Sequence, residues 1–191
     1  QVAVLPPVME TRPRVLIDTC VLYPTVMREM VLGVAARGAF EPVWSARILE
    51  EWARAAIKLG PTGEAQARAE IALLRGNWPG AERAASPSLQ ARLWLPDAND
   101  IHVLAVAVAS SADMILTLNA KDFPRQILAE EGLSRADPDS YLHGIWQATP
   151  ELVAPVADAV LQEARRLSGE RWEMRALLKK ARLPRLAKAL A

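Results

Sequence analysis

One cysteine, Cys20, stands among 191 residues, so the chain has no internal disulfide to staple it. That suits a reducing compartment, and a cytoplasmic location is expected. Cys20 itself reads as a small buried hydrophobe. Histidine is nearly as scarce: His102 and His143 stand alone and no CxxC motif occurs, which excludes the usual ligand set for zinc. No apolar run reaches the length of a membrane span; the best, Val103 to Ala109, is far too short. Internal repeats and low-complexity tracts are also absent. The first 14 residues carry three prolines and no basic segment leading into an apolar one, so residues 1–13 are expected to be a loose tail rather than a signal peptide.

What is present is ordinary soluble protein: 51% apolar and 24% charged residues, enough for one α/β domain with a helical appendage. The net charge of +1 conceals an asymmetry. Residues 163–191 hold nine Lys/Arg against three Glu, and the first 162 residues hold 14 basic against 19 acidic side chains. An acidic body therefore carries a basic end.

Val15-Leu-Ile17 reads as a buried, central, parallel strand ending in Asp18. A helix follows from Pro24 to about Arg37, with Gly38 as its stop. Glu41 to Trp44 is a second strand, and Ser45 caps a helix through Leu59. Thr62 to Gly76 is helical, and residues 77–96 form a loop with a short helical piece near Leu89 to Trp94. Asp97 to Asp100 opens a helix through Ala109 that is apolar nearly all round and so buried. Asp113 to Thr117 is a strand, Phe123 to Glu131 a helix, and Asp137-Pro-Asp starts another. Thr149 caps a long helix to about Leu167; further helical pieces span Glu170 to Ala181 and Leu186 to Leu190, separated by Pro184. Strands alternating with helices predict a central parallel sheet wrapped by helices.

The placement of the carboxylates is informative. Ligands of open α/β sheets bind at the carboxyl ends of the strands, where Asp18 falls. Position alone leaves a second reading open, a turn or cap residue. Glu51 borders the apolar stripe of Ile48, Trp52, Ala55 and Leu59, whereas Glu50 neighbours Arg47 and Arg54 and faces solvent. A carboxylate beside a core face needs a partner, which makes Glu51 a candidate ligand; the plain alternative is an ion pair with a nearby Arg. Asp97 and Asp100 flank the start of the buried helix, one expected as a cap and Asp100 as the more inward. Thr117, Asn119 and Asp122 follow a strand's carboxyl end, while Asp113 lies at the opposite edge. Carboxylates converging on one crevice repel unless protonated or neutralised, and Mg²⁺ or Mn²⁺ suits an all-oxygen site. Such a site has the logic of a metal nuclease.

Four segments, Val15-Leu-Ile-Asp18-Thr-Cys-Val-Leu22, Ile48-Leu-Glu-Glu51-Trp, Leu95-Pro-Asp-Ala-Asn-Asp100-Ile-His-Val-Leu-Ala105 and Ala112-Asp-Met-Ile-Leu-Thr117-Leu-Asn119-Ala-Lys-Asp122-Phe, together resemble the motifs of PIN-domain proteins, including VapC-like toxins. The resemblance covers roughly residues 14–146. It implies a three-layer PIN-like fold over 14–146; beyond it, residues 147–191 read as a basic helical extension. It also implies that Asp18, Glu51 and Asp100 are the acidic ligands of Mg²⁺ or Mn²⁺. The family's fourth acid is Asn119 here, as in a subgroup with Leu-Asn-x-Lys-Asp-Phe, which lowers the charge of the site. Asp97 and Asp122 are available to compensate, and Thr19 and Thr117 to orient substrate or water. The implied activity is a Mg²⁺-dependent endoribonuclease, often the toxin of a toxin–antitoxin pair, with RNA as substrate, an antitoxin protein as partner and frequent homodimers. A PIN-like module that binds RNA or protein without cutting is the alternative. A haloacid-phosphatase-like or receiver-like domain is set aside, because Asp18-Thr-Cys20 lacks the second acid of the one and no acid pair near residue 10 serves the other.

Arg165, Arg166, Arg175, Lys179 and Lys180 in the basic end are candidate contacts to an RNA backbone. A solvated helix face is the plain alternative, with Glu163, Glu170 and Glu173 as local partners. Leu177, Leu178, Leu183 and Leu186 predict that part of this end packs on something. Of the six tryptophans, those at 44, 52 and 146 read as core.

Overall fold

Four short strands frame the fold: β1 (Arg14–Ile17), β2 (Glu41–Val43), β3 (Met114–Leu116) and β4 (Ser134–Ala136). They form one parallel sheet in the order β2-β1-β3-β4. The computed structural model describes residues 12–191, so the tail expected over residues 1–13 lies almost wholly outside the described residues. Val15, Leu16 and Ile17 are fully buried. An unbroken apolar run is what a strand covered on both faces requires.

Between β1 and β2 run α1 (Thr19–Leu22) and α2 (Thr25–Ala36). The segment from β2 to β3 carries α3 (Ala46–Ala55), α4 (Gly63–Asn77), α5 (Pro87–Arg92) and α6 (Ile101–Ala109), and α7 (Arg125–Glu130) links β3 to β4. Four more helices follow: α8 (Pro138–Ala148), α9 (Ala154–Ser168), α10 (Met174–Lys180) and α11 (Pro184–Leu190). Helices therefore flank a parallel sheet, and a helical segment completes the chain, as the sequence predicts.

The differences are local. β4 was not anticipated, because Ser-Arg-Ala has no β-branched or aromatic residue and pairs on one side only. Pro24 precedes α2 as its extended cap rather than entering its first turn. Thr149 makes no side-chain cap; a 3₁₀ turn over Pro150–Leu152 leads into α9 instead. Trp44 and Trp52 are core as expected, while Trp146 is half-buried and Trp94 is 64% exposed.

The basic end is anchored by its apolar side. Leu177, Leu178, Leu183 and Leu186 are all buried in the same cluster as the sheet residues. The carboxylate of Asp139, on α8, accepts from the backbone N–H of Arg185 (2.9 Å) and Leu186 (3.0 Å), satisfying the start of α11. α9 lies close on α2, where a Cβ at Gly33 would stand 2.5 Å from Val156 Cγ1. Leu178→Ala is therefore expected to cost about 2–5 kcal/mol, the range for a fully buried Leu whose cavity cannot collapse. Urea unfolding reads that loss directly; a change under 1 kcal/mol would mean that this end is not part of the cooperative core.

Candidate active site

Asp18 follows β1 in extended geometry and caps α1, its Oδ1 accepting from Thr19 N at 2.8 Å. Its Oδ2 accepts from the Thr117 hydroxyl at 2.8 Å and from the Cys20 thiol at 3.4 Å. Sheet register explains the first contact. Ile17 pairs with Leu116, so the residues that leave the two parallel strands next, Asp18 and Thr117, emerge side by side. Both are buried. Burial pushes the Asp18 carboxyl above its ordinary range and the nearby Glu51 charge adds to this, against the hydrogen bonds from Thr117, Cys20 and Thr19. Cys20 is thus a wall of the site rather than a plain core residue. Burial and the Asp18 charge push its thiol up to about 12, which keeps it protonated.

Thr117→Val keeps the shape and removes one donor from a buried carboxylate. The expected cost is about 1–3 kcal/mol. Only the ionised carboxylate needs that donor fully, so the loss should be larger at pH 8 than at pH 4. Equal losses at both pH values would show that Thr117 does not support the charge.

Glu51 lies on α3, whose cap Ser45 accepts from Ile48 N at 3.1 Å and whose buried side carries Ile48, Leu49, Trp52 and Ala53. Its side chain is 39% exposed, at the border of that stripe. Oε2 accepts from the Thr19 hydroxyl at 3.2 Å; Oε1 is 2.7 Å from His102 Nε2 and 3.7 Å from Arg47 Nε. Burial alone would raise the Glu51 carboxyl, but the hydrogen bond and charge of His102, with Thr19 and Arg47, outweigh it and hold it below the ordinary range. Glu50 faces outward to Arg54 and Arg68.

His102 is the functional-looking residue that sequence reasoning missed. It is 4% exposed, on α6, and meets Glu51 at Oε1, where Thr19 meets Oε2. The signal was available: one polar side chain inside Ile101–Ala109, a helix apolar nearly all round, must find a partner.

Asp97 is the cap of the pair, accepting from Asn99 N at 2.9 Å, and is exposed. Asp100 stands half-buried where a 3₁₀ turn passes into α6. Its carboxyl is pushed up to about 6, by burial first and then by the charges of Asp18, Asp122 and Asp97, with His102 pulling the other way. Asp122 closes the turn over Ala120–Asp122. Asn119 is exposed; its backbone N–H donates to Thr117 Oγ1 at 3.0 Å, and among the described residues its side chain makes no hydrogen bond.

Hydrogen bonds thus tie Asp18, Thr19, Glu51 and Thr117 together, and Asp100, Asp97 and Asp122 share an electrostatic field with Asp18. Among the described residues, no group of three His, Cys, Asp or Glu side chains stands together as a metal-holding set, and Glu51 is engaged by His102 and Thr19. The chemistry of the donors nevertheless fits a hard cation. All the acidic groups offer oxygen, and their mutual repulsion is the kind that a divalent ion relieves.

The five basic candidates touch none of these acids. Arg165 Nε donates to Trp172 O at 2.8 Å, Arg166 pairs with Glu163, and Lys180 Nζ lies 5.1 Å from the centre of the Trp172 ring. Arg175 and Lys179 are exposed and make no ion pair among the described residues.

No curated protein and no solved structure matches the chain. A family model does: that of the PIN domain, over residues 14–121. The matched span begins at β1 and ends five residues after β3, so it takes in Asp18, Glu51, Asp100, Thr117 and Asn119 and stops short of Asp122 and all the later helices. With the parallel sheet and an acidic cluster at the carboxyl ends of β1 and β3, this match over more than half of the chain makes it a member of the PIN-domain family, whose members are generally nucleases.

Proposed function

We propose that the chain is a Mg²⁺- or Mn²⁺-dependent endoribonuclease of the VapC-like kind, working as the toxin of a toxin–antitoxin pair. Residues 14–146 are the nuclease domain and 147–191 a basic helical extension. One observation carries the nuclease reading: the PIN-domain model matches residues 14–121, the span that holds Asp18, Glu51 and Asp100. Burial, and then the charges of Asp18, Asp122 and Asp97, raise the Asp100 carboxyl in the same region. Such an arrangement is costly to fold around unless it serves a cation.

Asp18 and Asp100, with Glu51 directly or through water and Asn119 in support, would hold the ion. A divalent cation there supplies charge neutralisation at the phosphodiester and Lewis acidity. The protein's own residues fix the geometry. Thr117 and the Thr19 N–H hold the two Asp18 oxygens in place. The Thr19 hydroxyl and His102 hold Glu51. Water attacks phosphorus on the side opposite the leaving oxygen, and the charge that develops there is what the site must meet.

A second reading, a PIN-like module that binds without cutting, is favoured by the engagement of Glu51 with His102 and by Asn119 in place of an acid. Incubating the pure protein with single-stranded RNA in Mg²⁺ or in EDTA separates the two. The nuclease reading expects cleavage in Mg²⁺ that EDTA abolishes. Binding with no cleavage under either condition would select the module. The toxin role is tested by inducing the chain in growing cells, where the proposal expects growth arrest that Asp18→Asn relieves.

A further inference from the structure

A cavity of about 320 Å³ lies beside the acidic cluster on the β2 side, between the start of α3, the loop at Arg83 and the faces of Gln90 and His102. Because β2 runs parallel to β1, the chain leaves it at the same sheet end as Asp18, and Ser45 begins α3 there. Arg47 and His102 line the cavity and also contact Glu51, so cavity and cluster share a wall.

Its chemistry is that of an anion site. α3 is ten residues long, and Ser45, Ala46 and Arg47 at its start line the cavity: Ser45 satisfies Ile48 N, but Ala46 N and Arg47 N have no hydrogen-bond partner among the described residues. Arg47 and Arg83 are exposed cations on two sides; Arg83 uses only its Nε, on Gly80 O at 3.1 Å. His102, buried to 4% exposure, bonds Glu51 through Nε2, and its Nδ1 has no partner among the described residues. Glu82, the carboxylate in the wall, is paired with Arg75 at 2.8 Å.

We infer that this cavity receives a backbone phosphate of the RNA strand, flanking the phosphate that is cut in the acidic cluster. The inference rests on the proposed RNA substrate. A strand crossing a group of carboxylates meets repulsion at every phosphate except the one served by the cation. Two arginines and a helix N-terminus next door supply the compensating charge, and with it the direction in which the strand leaves the site. Arg83 is a substrate-binding residue in this account, with no part in the chemistry.

The test uses the full chain carrying Asp18→Asn, so that RNA is not consumed, with a labelled single-stranded RNA followed by fluorescence anisotropy at several salt concentrations. Adding Arg83→Gln should weaken binding about tenfold, the effect of losing one charged hydrogen bond. It should also flatten the slope of log affinity against log salt by about 0.7, the value for one phosphate contact on a single strand. A double variant at Arg175 and Lys179, which lie outside the cavity, should change affinity less than Arg83→Gln does. In the otherwise wild-type chain, Arg83→Gln should raise KM and leave kcat unchanged. An unchanged affinity and slope, an equal or larger loss in the Arg175/Lys179 control, or no RNA binding at all overturns the inference. So does an Arg83-dependent rise in melting temperature with inorganic phosphate while RNA affinity stays untouched, which would mark a site for free phosphate. If the chain binds RNA through Arg83 but never cuts it, the nuclease reading fails and the phosphate site stands.

Discussion

Asp18→Asn is expected to lower RNA cleavage about a thousandfold while the protein stays folded. The substitution keeps an acceptor oxygen for the Thr19 N–H, so the cap of α1 survives. It removes the charge that a cation needs. Asp18 is buried and its carboxyl is raised, which means that folding works against its ionised form. A neutral amide relieves that strain, so the inactive variant should be as stable as wild type at pH 8, or more so. Loss of activity with gain of stability is the signature of a residue kept for function. Cleavage of a fluorogenic RNA and thermal unfolding, run on the same preparation, check both halves. A variant that cuts at the wild-type rate removes Asp18 from the chemistry.

The second large effect links cation, pH and stability at Asp100. Its folded pKa of about 6 lies above the ordinary 3.8, so the folded protein holds that proton more tightly than the unfolded chain does. The sign follows: the favourable contribution is complete below about pH 4 and is lost as pH rises through about 6. At pH 8 without metal, the group opposes folding. Because the side chain is only half-buried, solvent screening reduces the effect. Asp100→Asn should then raise the melting temperature by roughly 2–4 °C at pH 8 in EDTA, the shift that about 1 kcal/mol gives in a domain of this size. It should change little at pH 4. Mg²⁺ at about a hundred times its Kd should stabilise wild type at pH 8 by about 2.7 kcal/mol. It should do far less at pH 4, and far less in Asp100→Asn. A Mg²⁺ effect of equal size in wild type and Asp100→Asn would place the ion elsewhere.

Much of this arrangement is legible in the sequence because period and punctuation carry it. Val15-Leu-Ile17 reads as a buried central strand, which it is, and its last residue hands Asp18 to the carboxyl end of the sheet. Ser45 and Gly38 mark a helix start and a helix stop that the structure keeps; Gly38 has positive φ, where a side chain would be strained. Asp97 as cap and Asp100 as the inward acid follow from their order at the head of an apolar helix. What was not legible depended on partners distant in the chain. β4 exists because β3 offers it an open edge, and Ser134-Arg-Ala136 has no pattern of its own. That Cys20 would face Asp18 and Thr117 follows only from the tight first turn of α1, which sequence reading passed over. The Glu51–His102 contact joins residues 51 positions apart on α3 and α6, and no local spacing encodes it.

The central claim is tested most directly by growing crystals of the protein, soaking them in Mn²⁺ and recording anomalous scattering. The account predicts one strong peak within coordination distance of both Asp18 and Asp100, with Glu51 reached directly or through a water. Full diffraction with no peak there, or with manganese bound only at surface carboxylates such as Glu50, would contradict it.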